Sequence, residues 1–129
     1  MTMRITIYAV AALGAVALAA PEAHAQRLSP MPAGNFMRFC STPANGGQKV
    51  CDAYITGMAD SFALAQALSP EASTAKSICV PTETTGTAMR QTVVSWIGNH
   101  KDRLRNKVGE VVYTALHESY PCSATKSGS

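Results

Sequence analysis

The sequence is poor in the residues and spacings from which catalytic sites are usually built. Its four cysteines, Cys40, Cys51, Cys79 and Cys122, are separated by 11, 28 and 43 positions, so it has no C-x-x-C pair. That argues against a structural zinc site and against a thioredoxin-like redox centre, both of which need closely spaced thiolates. There is no glycine-rich phosphate loop; Gly46-Gly47 alone is turn chemistry. Ser61 and Ser95 lack the flanking glycines of a hydrolase nucleophile elbow. Beyond the N-terminal stretch only His100 and His117 remain, too far apart to share a helical turn. Asp52 and Asp60 fall two helical turns apart, about 12 Å along an axis, wider than the spacing of paired glycosidase carboxylates. The residues therefore predict no enzyme, no cofactor and no metal. The net charge of +3 suits solubility and an acidic partner, but it is too small to indicate nucleic acid.

Long apolar runs are also missing. The longest, Ile5 to Ala20, is short of the roughly 20 residues that a membrane-spanning helix requires. With Arg4 before it and Ala23-His24-Ala25 after it, the run has the three-part plan of a secretory signal. Residues 1–25 are therefore expected to be a signal peptide cleaved after Ala25, the alternative being an uncleaved N-terminal anchor. Gln26 rather than cysteine would be the new N-terminus, which disfavours a lipoprotein. Cleavage removes Arg4 and Glu22 and leaves the net charge unchanged. The remaining residues, 26–129, suffice for one domain with its core at 34–122, with no membrane attachment after cleavage and with the periplasm as its compartment. An even cysteine count in a small exported chain reads as a disulfide framework.

What is present is helical periodicity, with no internal repeat and no alternating strand pattern. Asn35–Phe39 suits a short helix ending near Cys40, and Pro43 with Gly46-Gly47 forces a turn. From Val50 to Leu68, apolar residues recur on one broad face: Val50, Tyr54, Met58, Ser61, Phe62, Ala65 and Leu68, with Cys51 and Ile55 at its edge. Asp52, Thr56 and Asp60 line the other side. Ser69-Pro70 ends this helix. After Cys79-Val80-Pro81, the threonines at 82, 84, 85 and 87 are N-cap candidates for a helix over about 88–98, faced by Met89, Val93, Val94, Trp96 and Ile97. A last helix over about 102–119 would bury Leu104, Val108, Val111, Val112, Ala115 and Leu116, stopped by Pro121; the tail from Ser123 should be disordered. The fold class is thus all-α, a small bundle of three main helices plus a short N-terminal one, with two disulfides.

Helix packing proposes their connectivity. Cys40 and Cys51 bracket a turn between two helices. Cys79 precedes the third helix and Cys122 follows the fourth, so antiparallel packing brings start to end. Of the three pairings four cysteines allow, Cys40–Cys51 with Cys79–Cys122 is the one expected.

Two features could carry binding. The loop from Ser69 to Ser77, with Glu71 and Lys76, is polar, and loops commonly set partner choice. On the last helix, Asn106, Gly109, Tyr113 and His117, and Tyr120 beyond them, fall together away from the expected core. Tyrosine and small residues on an outward face suit a protein contact, and the other reading is cover by a second helix of the same chain. The charged run Lys101–Lys107 straddles both edges of the apolar face and forms no single patch.

The chain resembles the Rap/Tai group of type VI secretion immunity proteins, including its amidase-immunity members. The resemblance is carried by Cys51-x-x-Tyr54-Ile55-x-Gly57-x-x-Asp60, then Cys79-Val80-Pro81, then Gln91-x-Val93-Val94-x-x-Ile97, and finally Ala115-Leu116 with Pro121-Cys122. It departs from the family pattern where a His-Pro often precedes the last helix, since here His100 is followed by Lys101. The resemblance implies a periplasmic protein that binds and inhibits a cognate effector, a peptidoglycan amidase being the implied kind, and it allows a homodimer. Two other functions fit the same features: an orphan family member without a toxin partner, and a small periplasmic acid-stress chaperone, whose low-pH opening two disulfides would resist.

Overall fold

The computed structural model describes residues 27–70 and 77–122. The expected signal peptide and cleavage site, the tail from Ser123, and Glu71 and Lys76 of the loop after Leu68 lie outside them. Four α-helices are present among the described residues: α1 (Ala33–Ser41), α2 (Gly47–Leu68), α3 (Gly86–Asn99) and α4 (Val108–Ser119), with 3-10 turns at Ala44–Gly46 and Lys101–Arg103. No helix of the described residues is long and apolar enough to cross a membrane.

Helix termini are set by identifiable groups. The α1 and α4 N-termini have no side-chain caps; they complete each other instead. The first amides of α1 donate to carbonyls of the chain leading into α4, Ala33 to Asn106 and Gly34 to Leu104, both at 2.9 Å. The Val108 amide at the start of α4 returns the contact to Met31 at 2.8 Å. Donors that a helix leaves unmade at its N-terminus are thereby satisfied. Gly34 permits the approach, since a Cβ there would sit 3.3 Å from the Leu104 carbonyl oxygen. Gly46 takes the left-handed conformation, φ 70°, that turns the chain from α1 into α2. Of the four candidate threonines, Thr85 caps α3: its hydroxyl accepts from the Ala88 amide at 3.1 Å.

Both disulfides form as expected, Cys40–Cys51 and Cys79–Cys122. The first is sealed, with both cysteines fully buried, and ties the end of α1 to the first turns of α2. The second ties the chain before α3 to the chain after α4. It is reinforced by a backbone bond from the Cys79 amide to the Tyr120 carbonyl at 2.9 Å and by an isolated bridge between Ile78 and Pro121. Cys79 itself is exposed.

The core is built from Ile55, Val93, Ile97, Val108, Val112 and Leu116, each at most 1 % exposed. Burying one such side chain contributes about 1.5–3 kcal/mol. Two expectations need correction. The buried face of α2 is centred on Cys51, Ile55 and Ala59, whereas Val50 is 58 % exposed and Leu68 75 % exposed. The helix is rotated because Cys51 is tied to Cys40 and because Asp52 pairs with Arg90 of α3 at 2.7 Å. The last helix begins at Val108 and not near Asp102, because Leu104 and Asn106 spend their carbonyls on α1. Asn106 therefore precedes the helix on which the stripe placed it.

Candidate functional site

The residues that could have suggested acid–base chemistry are engaged structurally. Asp52 accepts from the Arg90 Nε at 2.7 Å and from the Thr87 hydroxyl at 3.0 Å. His100 stacks on Trp96 with ring centroids 3.7 Å apart, and its Nδ1 meets the Trp96 carbonyl at 2.7 Å. Trp96 in turn donates its indole N–H to Glu118 at 2.8 Å. Among the described residues, no three of His, Cys, Asp and Glu gather where a metal could be held.

Among the described residues a groove of about 980 Å³ lies between the C-terminal half of α2 and the outer side of α4. It exists because α2 packs chiefly on α3 and much less on α4. The α2 wall presents Met58, Phe62, Ala65 and Leu68, while α4 presents Gly109, Tyr113 and His117 at four-residue steps. Four-residue steps put side chains one above another on a helix surface. Ser69 and Leu28 also line the groove. The Phe62 and Tyr113 rings meet across it at 4.9 Å, and Tyr113 lies nearly parallel to His117 at 5.8 Å. Leu68 and Leu28 carry large exposed apolar surface at its margin. An apolar depression with a few polar tips is the ordinary form of a binding site.

One wall is held by polar clips. The His117 Nδ1 lies 3.1 Å from the Ser77 carbonyl, which can only accept, so Nδ1 carries the proton. The Gln66 side-chain oxygen accepts from the Ile78 amide at 2.8 Å. Both residues line the groove, and both pin the segment that runs into Cys79. Tyr54, packed on Phe36 at 5.2 Å, lies beneath Gly109, and burial raises its phenol above the ordinary range.

Of the six residues singled out in the sequence, the structure brings Ser69, Tyr113 and His117 to this one groove. Asn106 sits apart, in the chain before α4 that pairs with α1. Tyr120 turns the other way, its hydroxyl donating to Thr92 of α3 at 3.2 Å. The two readings of the tyrosine stripe both hold in part: Phe62 of the same chain packs on Tyr113, and Tyr113 also lines the groove. Sequence reasoning missed the α2 wall, because Met58, Phe62, Ala65 and Leu68 were assigned to the core. No sequence signal marked it, since helices over 50–68 and about 102–119 were expected to match in length, whereas α2 runs for 22 residues and α4 for only 12.

The family model of Rap1a immunity proteins matches residues 33–122, from the start of α1 to the last cysteine. No curated protein and no solved structure matches the chain.

Proposed function

Because the chain belongs to the Rap1a immunity protein family, we propose that it is the antidote to a type VI secretion effector, a peptidoglycan amidase, which it binds and holds inactive. The observation that carries this reading is the family match across nearly all the described residues. It acts by binding and performs no chemistry of its own. Two disulfides are the mark of an exported protein. Export through the 1–25 signal peptide would place the domain in the periplasm, where a cell-wall amidase works. The contact residues we assign are Ser69, Tyr113 and His117 of the α2/α4 groove, which combine apolar area with polar tips. Association of two copies belongs to the same reading.

The test is a pull-down of the oxidised domain, residues 26–129, with the product of the adjacent gene, followed by a peptidoglycan digestion assay. A complex that abolishes digestion supports inhibition of an amidase. A complex that inhibits a different toxin activity would keep the antidote and discard the amidase. A neighbour that neither binds nor is inhibited would overturn the immunity function for this chain. Sedimentation of the free domain at micromolar concentration decides the association of copies.

A further inference from the structure

The α2/α4 groove has a shape and a charge that specify what enters it. Its α4 wall runs from Gly109 to His117, eight residue steps, or about 12 Å along the helix axis. A helix with its side chains is about 10 Å across, so two turns of one fill about the volume of the groove, 980 Å³. Among the described lining residues there is one carboxylate, Glu110, and no lysine or arginine. Glu110 is exposed, and no described residue pairs with its carboxylate. A buried or half-buried charge left without a counter-ion weakens a complex, so the occupant should supply a cation at that end.

We propose that the groove receives a two-turn amphipathic helix of the toxin, its apolar face against Phe62, Leu68 and Tyr113 and a lysine or arginine against Glu110. This rests on the immunity reading and adds the class of segment recognised. Apolar anchors at positions i, i+3 or i+4, and i+7 of the incoming helix match the pitch of the two walls. Other occupants fit less well. Two copies placed groove to groove would face one concavity with another and leave both unfilled. An anionic acyl lipid would set its headgroup charge against Glu110 or leave that carboxylate uncompensated.

The experiment is a titration of the full mature domain with the product of the adjacent gene, at low and at high salt, for four proteins. Glu110→Gln should bind about three- to tenfold more weakly at low salt and like wild type in about 0.5 M salt, where a surface charge pair is screened. Leu68→Ser should lose about tenfold or more at both salts, because an apolar anchor is not screened. Both positions are exposed, so circular dichroism should show unchanged folds. Leu64→Ser, also on the exposed side of α2 but outside the groove lining, is the control and should bind like wild type. Wild-type binding with unchanged affinity for Glu110→Gln and Leu68→Ser overturns the groove while leaving the immunity function intact. Loss only in Leu64→Ser places the toxin on the outer face of α2 and overturns it equally. A toxin-free dimer that dissociates on Leu68→Ser assigns the groove to a second copy, and a fatty acid that saturates it assigns it to lipid; either result refutes the proposal. No binding by wild type removes the immunity function and this inference with it.

Discussion

The Asp52–Arg90 pair joins α2 to α3, and removing Asp52 should be among the most damaging single changes in the domain. The Arg90 guanidinium has 11 % of its side-chain surface exposed and Asp52 has 24 %. Arg90 donates through Nε to Asp52 at 2.7 Å, and its other described contact is the Cys40 carbonyl at 3.4 Å. Asp52→Ala therefore strands a nearly buried cation. Breaking a fully buried ion pair costs about 3–5 kcal/mol; the partial exposure of Asp52 admits some water, which brings the expected loss to about 2–3 kcal/mol. For a domain of this size that lowers Tm by about 10–20 °C. At a urea slope of about 1 kcal/mol/M the midpoint falls by about 2–3 M. Unfolding with both disulfides intact can be followed through Trp96, the one tryptophan in the chain. The decisive comparison is the double variant. If the damage comes from the stranded cation, adding Arg90→Met to Asp52→Ala should recover stability to within about 1 kcal/mol of wild type. Losses that simply add, or an Asp52→Ala effect below about 0.5 kcal/mol, would show the pair to be solvated and the reasoning wrong.

Three further expectations follow from the same structure. Thr85→Ala removes the hydroxyl that accepts from the Ala88 amide and should cost about 1 kcal/mol in urea unfolding, whereas Thr85→Ser should be close to neutral. Tyr54 holds its proton more tightly folded than unfolded, because burial raises its phenol; stability should be full below about pH 10 and decline as pH rises beyond it, a decline that Tyr54→Phe should flatten in midpoints measured from pH 9 to 11. Under native conditions a dithiol reductant should open Cys79–Cys122 first, since Cys79 is exposed while Cys40 and Cys51 are sealed. Alkylation and mass spectrometry would read the order, and the opposite order would contradict it. Loss of each crosslink should cost about 4 kcal/mol for the 43-residue separation and about 3 kcal/mol for the 11-residue one.

Much of this architecture is legible along the chain because it is local. The threonines before α3 and the proline and glycines before α2 act within a few residues of where they stand. Val50 was misplaced because exposed Val50, Leu64 and Leu68 give α2 apolar residues on more than one side. The choice among those sides came from Cys40 and Arg90, partners 11 and 38 positions away. The late start of α4 has the same origin: residues 104–107 carry no helix breaker, and they leave the helix because α1 takes their carbonyls. At the site, Tyr113 and His117 were readable as an outward face and Ser69 as the start of a polar loop. Periodicity cannot show that α4 is shorter than the face α2 offers it, so the groove between them was not readable.

The pairing of cysteines has a consequence for manufacture. Cys40 joins Cys51, the next cysteine in the chain, and Cys79 joins Cys122, the next after that. A polypeptide threaded into an oxidising space N-terminus first presents its thiols one at a time, and an oxidant that couples each new thiol to the one waiting makes the native set directly. The first ring can close while α3 and α4 are still upstream of the exit, and the second closes only when the last helix has arrived. No wrong crosslink has to be undone, so the slow reshuffling that interleaved patterns require is avoided. A protein whose task is to be ready before a toxin arrives gains from maturing at the speed of its own emergence.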